Sequence, residues 1–261
     1  MDTNKERIHK YFFEIASSYR DVRMTDLEPI QFINKRLKDL RSIRAADIGC
    51  GAGRYDLLLF KHLNNLHLVG VDSNEAMLKE ASTYLKDNGI CNFFPVKANV
   101  NNLPLKDNFV DCIFTFNAVH HFDFPRFLEN AARIIKKDGL IFIYTRFQSQ
   151  NERSLWGRHF PHFLERGGRL YELNHITRRI DSTNCLTIEC VERFQFSRKA
   201  TLDEVLEKTR KKHYSTFSFY DGCEFEECLN EFKERITSHF PNPECIKWYD
   251  GNIMLVLRPK L

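Results

Sequence analysis

The sequence predicts an α/β fold in which a parallel sheet is covered by helices on both faces. Between residues 45 and 147, short apolar segments alternate with amphipathic segments whose apolar residues have three- and four-residue spacing. The apolar segments are nearly continuous, which is typical of strands buried on both faces of a parallel sheet. A glycine-rich turn at residues 49–53 joins the first of these strands to the first helix.

The same pattern gives the order of the elements. Short apolar runs predict strands at residues 45–49, 67–72, 92–99, 110–117 and 140–147. The amphipathic runs between them predict helices at residues 54–64, 74–89 and 124–139. We expect Ser73 to cap the second of these helices and Gly89 to end it. Pro95 indicates that the third strand is irregular or lies at an edge of the sheet.

The flanking segments are mainly helical. Residues 5–42 and 148–184 have helical spacing, and the second segment is rich in aromatic residues. The rest of the chain predicts a strand at 186–196, helices at 201–212 and 224–240, and a last strand at 252–259.

Composition narrows the class of protein. The chain has 261 residues, of which 43% are hydrophobic, and a net charge of +4, which neither requires nor excludes an anionic partner. None of its eight cysteines forms a Cys-x-x-Cys pair, so the sequence predicts no metal site and a reduced, cytoplasmic protein. The charged N-terminal segment does not resemble a signal peptide, and no apolar run reaches the ~18 residues of a membrane span.

The glycine turn, Gly-Cys-Gly-Ala-Gly at residues 49–53, differs from the phosphate-binding motifs. A dinucleotide fingerprint requires a third glycine where this chain has Arg54, and a P-loop requires Gly-Lys-Ser/Thr, which is missing. Asp47 precedes the first glycine by two residues. Its carboxylate is poorly placed for a pyrophosphate and well placed for an ammonium group.

Two more polar residues end the next two predicted strands. Asp72, at the end of the second strand, can accept both ribose hydroxyls of an adenosine. Asn99, at the end of the third, can bond to the adenine amino group and a ring nitrogen. An ammonium site, a ribose site and an adenine site together predict S-adenosylmethionine as the cofactor.

Four stretches carry a resemblance to a known family: AADIGCGAGRY, LVGVDSNEAMLKEA, ANVNNLPLKDNFVDCIFTFNAVHHF and ENAARIIKKDGLIFIY. Over residues 44–145 the chain resembles the class I S-adenosylmethionine-dependent methyltransferases, in particular methyltransferase type 11. The resemblance implies a Rossmann-like, doubly wound sheet of seven strands in the order 3-2-1-4-5-7-6, with the last strand antiparallel and helical insertions. It further implies three regions: a helical cap over the cofactor site at 1–42, the cofactor-binding core at 43–147, and a substrate lid with the last strands at 148–261.

The resemblance also implies which residues bind the cofactor. The turn is assigned to the methionine end, and the end of the second strand to the ribose and adenosine. The end of the third strand is assigned to the adenine, and the end of the fourth strand lies near the methyl group. Tyr19, in the N-terminal segment, is a candidate for the methionine carboxylate or the sulfonium. The implied residues are Tyr19, Asp47, Gly49, Cys50, Gly51, Asp72, Ser73, Met77, Asn99, Val100 and Asn117. Arg23 is a weaker candidate, and the family usually has aspartate at position 99.

Three other features allow two interpretations each. His120 and His121 follow the fourth strand, where His121 is a candidate general base or a packing residue. The aromatic cluster at 156–163 is a substrate lid or the core of the inserted helices. The basic segment 208–213 is a nucleic-acid patch or an ordinary basic helix end.

The function predicted from these residues is S-adenosylmethionine-dependent methyl transfer to a small-molecule acceptor. The alternatives are an RNA- or protein-modifying methyltransferase and a cofactor-binding partner protein without catalysis. The absence of an evident RNA-binding module favours the small molecule.

Overall fold

The computed structural model describes residues 3–260. Its strands are β1 (Ile43–Ile48), β2 (Leu66–Asp72), β3 (Phe93–Lys97), β4 (Val110–Phe116), β5 (Ile135–Thr145), β6 (Leu186–Ala200) and β7 (Ile246–Pro259). They form one seven-stranded sheet in the order β3-β2-β1-β4-β5-β7-β6. The first five pair in parallel, and β7 is antiparallel to both of its neighbours. The predicted fold class and strand order are confirmed, and β3 lies at an edge, as Pro95 indicated.

Helices precede β1 and connect most of the following strands. They are α1 (Thr3–Ile15), α2 (Tyr19–Val22), α3 (Glu28–Leu37), α4 (Asp56–His62), α5 (Glu75–Asp87), α6 (Phe124–Ile134), α7 (Gln148–Arg153), α8 (Leu155–His159), α9 (Phe163–Arg166), α10 (Leu173–Ser182), α11 (Leu202–Arg210) and α12 (Gly222–His239). In residues 3–260, no helix combines the length and apolar character needed to cross a bilayer.

The sheet has a hydrophobic core on each face. Successive residues of a strand point to opposite faces, so Ala46 and Ile48 of β1 pack with residues of α6 and α10. Ile43 and Ala45 pack instead with residues of α3 and α4. A third, mainly aromatic core lies among α8, α9, α11 and α12. Because β1 to β5 run in parallel, their carboxyl ends lie together at one end of the sheet. The loops there lead into the helices that follow the strands.

The predicted bounds of the helix at 124–139 and of the last strand were wrong. The helix at 124–139 ends at Ile134, because Ile135 already pairs with Val110 of β4 and Lys136 Nζ lies 2.5 Å from Asp111 Oδ1. The last strand begins at Ile246, six residues earlier than predicted, because it pairs along the whole of β6. These contacts are made to residues distant in sequence, so local spacing did not indicate them.

The N-cap of α5 is Asn74 and not Ser73. Asn74 Oδ1 accepts hydrogen bonds from the backbone N–H groups of Ala76, at 3.1 Å, and Met77, at 3.2 Å. Gly89 follows the end of this helix with φ +76°, the left-handed conformation expected of a helix-ending glycine.

Candidate functional site

A cavity of about 750 Å³, here called the strand-end cavity, lies at the carboxyl ends of β1, β2 and β4. Ligands of doubly wound sheets bind at this edge, and the volume is within the ~300–1,000 Å³ common for ligand sites. Ten of the twelve predicted site residues line it: Tyr19, Gly49, Gly51, Asp72, Ser73, Met77, Asn99, Val100, Asn117 and His121. Asp47 and Cys50 are not among its lining residues.

The glycine turn is tightly packed on one side and open on the other. Gly49 has φ +78°, and a Cβ there would lie 2.6 Å from the Cβ of Ala118. Gly51 has φ +56°, and a Cβ there would meet only Tyr19 Cε1, at 3.8 Å. Both φ values favour glycine. At Gly49 the backbone of the turn packs against the loop that follows β4, and at Gly51 it faces the cavity.

Asp72 ties the turn to the end of β2. Its Oδ2 accepts a hydrogen bond from Gly51 N at 2.9 Å, and its Oδ1 accepts one from Asn74 N at 2.8 Å. Burial raises the pKa of this carboxyl, against the opposing effect of its backbone donors. Each carboxylate oxygen has further acceptor capacity, so Asp72 can hold the turn and also receive ligand hydroxyls.

The N-terminal helix α1 forms one wall of the strand-end cavity. Asn74 Nδ2 donates a hydrogen bond to His9 O at 3.1 Å, and the Phe12 ring lies edge-on to His121 with centroids 5.3 Å apart. Tyr11 Oη donates to Lys212 O at 2.6 Å, which fixes the other side of α1. The sequence predicted a helix here, but its spacing did not indicate that His9 and Phe12 would face the cavity.

Asn99 follows β3 and lines the cavity next to Val100. Its Oδ1 accepts a hydrogen bond from Asn101 N at 3.0 Å, so the side chain organises the turn after the strand. One acceptor position on the amide oxygen and the amide NH2 group remain for a ligand.

Asp47 lies beneath the turn and faces Asp56 of α4. Both side chains are buried, at 2% and 0% exposure. Burial first, and then the neighbouring Asp56 carboxyl, raise the pKa of Asp47 well above its usual value. Burial likewise raises the pKa of Asp56, to about 7. The pair therefore retains a proton near neutral pH. Cys50 is buried behind the turn, beside Gly70.

The Asp47–Asp56 pair predicts a pH-dependent stability. The folded state binds more protons than the unfolded chain between the ordinary carboxyl pKa of 3.8 and about 7, so stability falls as pH rises through that range. We expect Asp56→Asn to raise the melting temperature at pH 8 by several degrees, roughly 2–4 °C per kcal/mol gained, and by less at pH 5. Circular dichroism melts at both pH values measure this. Asp87→Asn, at an exposed position of α5, is the control, and an equal effect of Asp56→Asn at pH 5 and pH 8 would contradict the prediction.

His120 and His121 lie in a short 3-10 turn after β4. Arg169 Nη1 donates to His121 Nδ1 at 3.0 Å. Burial and nearby cations lower the pKa of His121 well below its usual value and that of His120 to about 3. Both rings are therefore neutral. With Nδ1 accepting from Arg169, the His121 proton is on Nε2, an arrangement that gives the general-base prediction little support.

A second, smaller cavity of about 110 Å³ adjoins the first and shares Asn117, His120 and Arg169 with it. Because most of its charged lining residues are cationic, we call it the basic cavity. Its charged lining residues are Arg23, Asp26, Arg54, Arg146, Arg169, Arg198, Lys208 and Asp250. Arg23, the weaker cofactor candidate, lines this cavity and not the strand-end cavity.

The two remaining features of the sequence meet at the basic cavity. Trp156 and Phe163 belong to the aromatic core and also line this cavity. The core interpretation of the cluster at 156–163 is confirmed, and the substrate lid stays a prediction. Lys208 and His213, at either end of the basic segment, line the same cavity. Arg169 was missed by the sequence analysis, because it lies 48 residues from His121 in a segment without a recognisable motif.

Known proteins similar to this chain include methyltransferases. Residues 46–143 match the sequence profile of the methyltransferase domain. Over these residues the chain is similar to the class I S-adenosylmethionine-dependent methyltransferases. A similar protein, the uncharacterized methyltransferase YcgJ of Bacillus subtilis, is 27% identical over 142 residues, which cover 54% of this chain and 55% of YcgJ. The chain thus spans about half the length of that methyltransferase relative. The uncharacterized protein MJ1252 of Methanocaldococcus jannaschii is 29% identical over 234 residues, covering 87% of this chain and 76% of that protein.

Solved methyltransferase structures share the fold over nearly the whole chain. YcgJ superposes with a TM-score of 0.62 at 18% identity, covering 89% of this chain and 98% of YcgJ. A putative methyltransferase from an antibiotic biosynthesis pathway of Anabaena variabilis gives 0.66 at 20% identity, covering 92% and 99%. Geranyl diphosphate methyltransferase in complex with S-adenosylmethionine gives 0.56 at 13% identity, covering 90% and 85%. At these identities the likeness concerns the fold.

Proposed function

We propose that this methyltransferase binds S-adenosylmethionine in the strand-end cavity and transfers its methyl group to a small molecule in the basic cavity. The observation that carries the proposal is the junction of the two cavities, which share Asn117, His120 and Arg169. A methyl donor on one side and an acceptor on the other would meet at these residues.

The residues of the strand-end cavity suit this cofactor. Asp72 would receive the ribose hydroxyls, and the open backbone at Gly51 would face the methionine end. Met77, 2% exposed, and Val100, 8% exposed, offer apolar surface to the adenine. Asp47 is buried beneath the turn, so the backbone of the turn would separate its carboxyl from the ammonium group of the cofactor.

When bound, S-adenosylmethionine supplies a methyl group on a sulfonium; the lone pair of the acceptor forms the new bond to carbon, and the electrons of the broken bond remain on sulfur. The chain itself has to align the acceptor with the methyl group and exclude water. Helix α1 and Tyr19 would close the cofactor side. Asn117, whose φ is +54°, has its side chain held at the junction by Asn252 Nδ2, which donates to Asn117 Oδ1 at 3.0 Å. A proton acceptor is needed only for a nucleophile that is protonated at neutral pH.

A small acceptor is supported by the position of the basic residues. Lys208 and His213 face the basic cavity, and Lys211 pairs with Glu207 at 2.7 Å on the outside of α11. The segment 208–213 is therefore divided between a cavity wall and an outer surface on which Lys211 is paired. Geranyl diphosphate methyltransferase, whose fold this chain shares, is itself named for a small molecule.

The test is a screen of metabolite extracts with isotopically labelled S-adenosylmethionine, followed by mass spectrometry of the labelled products. We expect a labelled small molecule, and calorimetry should show binding of S-adenosylhomocysteine. Label found only in RNA or protein would favour the modifying-enzyme alternative, whose binding would weaken steeply with salt for RNA. Cofactor binding without any labelled product would favour the non-catalytic partner.

His121→Ala tests the role of the histidine. We expect a lower kcat with little change in S-adenosylhomocysteine affinity, because the ring holds Arg169 at the junction of the cavities. The kcat–pH profile separates the two roles: a positioning residue leaves its shape unchanged, whereas loss of a general base alters it. His175→Ala, at an exposed histidine of α10, is the control. Unchanged turnover in His121→Ala would assign the ring to packing alone.

A further inference from the structure

The basic cavity contains more positive charge than its own carboxylates neutralise. Its walls hold six cationic side chains and two carboxylates, Asp26 and Asp250. Arg198 Nη2 lies 2.8 Å from Asp26 Oδ1, and Arg146 Nη2 lies 3.0 Å from Asp250 Oδ1. Arg198 Nε is also 3.5 Å from Asp250 Oδ2, so both carboxylates are paired within the protein. The remaining cations of the cavity form no ion pair with any carboxylate in residues 3–260: Arg23, Arg54, Arg169 and Lys208.

Several N–H donors in the same walls are buried without an acceptor. Arg23 Nε, Arg169 Nε and Trp248 Nε1 have no hydrogen-bond partner in the described part of the chain. These nitrogens can only donate, and a buried donor without an acceptor is destabilising, more so when it is charged. A ligand rich in oxygen acceptors would satisfy them.

The environment of the unpaired cations also favours a bound anion. Burial lowers the pKa of Arg169 to about 10 and also lowers that of Lys208. The Arg23 guanidinium lies 5.6 Å from the ring centroid of Tyr19 and 4.9 Å from that of Tyr214, between the two cavities. These cations are partly desolvated without a carboxylate partner, a state that a bound anion stabilises.

The size of the basic cavity and its position next to the strand-end cavity relate its positive charge to the methyl acceptor. The cavity is small, about 110 Å³, and Trp156, Phe163 and Phe196 give it aromatic walls. It adjoins the strand-end cavity at Asn117 and His120. We propose that the methyl acceptor is a compact molecule with an oxyanion group, a carboxylate or a phosphate, which the unpaired cations of the basic cavity bind. This inference rests on the proposed function, since it names the chemical class of the acceptor.

The test uses three small probes that fit irrespective of the acceptor's shape: acetate, inorganic phosphate and acetamide, the neutral isostere of acetate. Each is titrated at constant ionic strength into protein saturated with S-adenosylhomocysteine, and the melting temperature is followed, because a ligand of the folded state raises it. We expect acetate or phosphate to raise the melting temperature and acetamide not to. A larger effect of phosphate assigns a phosphate ester, and a larger effect of acetate assigns a carboxylate.

Lys208→Met is the decisive variant, with Lys211→Met as its matched control. Lys208 lines only the basic cavity, and Lys211, on the next turn of the same segment, is exposed and paired with Glu207. We expect Lys208→Met to weaken oxyanion binding roughly tenfold or more, as for the loss of a charge-assisted contact, and to raise the KM for the acceptor. S-adenosylhomocysteine affinity should be unchanged in both variants, which also verifies that they fold.

Three results would overturn the inference: acetamide stabilising the protein as much as acetate, Lys208→Met binding the anions as wild type does, or a labelled acceptor without an acidic group. Failure of wild-type protein to bind S-adenosylhomocysteine would instead contradict the proposed function, so the two failures are distinguishable.

Discussion

Replacing Asp72 with alanine is expected to weaken S-adenosylhomocysteine binding by at least tenfold. Its carboxylate would receive the ribose hydroxyls, and it already holds Gly51 N at 2.9 Å and Asn74 N at 2.8 Å. Each hydrogen bond to a charged group is worth about 1.5–3 kcal/mol, and about 1.4 kcal/mol is tenfold in affinity. The alanine variant loses the ligand contact and also the tie between the turn and β2, so the loss should exceed that of one contact. Calorimetry measures it.

Two further variants make the Asp72 result specific. Asp72→Asn retains one oxygen acceptor without the charge and should fall between wild type and alanine. Glu75→Ala removes a nearby acid of α5 whose side chain is 76% exposed and paired with Lys97, and it should bind as wild type does. Wild-type affinity in Asp72→Ala would refute the ribose assignment.

Asp250→Ala is expected to lower the free energy of unfolding by about 3–5 kcal/mol, the usual consequence of removing one partner of a buried ion pair. Asp250, Arg146 and Arg198 have side chains only 11–14% exposed, and Asp250 is within 3.5 Å of both guanidinium groups. Without it, two nearly buried cations lose a counter-charge beside four others that have none. The corresponding decrease in melting temperature is roughly 10 °C for a domain of this size.

Urea and thermal unfolding measure the effect of Asp250→Ala. The matched control is Glu231→Ala, because Glu231 pairs with Arg235 on α12 with both side chains about half exposed, and exposed pairs contribute only ~0–1 kcal/mol. Equal destabilisation by the two variants would show that burial of the Asp250 pair has no special effect.

Local sequence predicted the sheet because each strand is itself an apolar run and each turn has its own glycine or cap. It failed where a distant partner decides the conformation. Ile135 extends β5 because it pairs with Val110, and Asn74 instead of Ser73 caps α5 while its amide reaches the N-terminal helix at His9. The contact of Asp47 with the cofactor stays a prediction from its spacing before the turn. What the spacing did not indicate is that Asp47 would be buried beside the carboxyl of Asp56.

The sequence by itself indicated the fold class, the resemblance to methyltransferases and the residues that line the floor of the strand-end cavity. Those features depend on residues close together in the chain, such as the turn at 49–53 and the strand end at Asp72, about twenty residues later. Only the tertiary structure revealed the basic cavity, since its charged walls come from segments between Arg23 and Asp250 that have no shared motif. Whether a charge is paired depends on which distant residues pack against it. The folded chain pairs Arg146 and Arg198 with carboxylates and leaves the other four cations of the cavity without one.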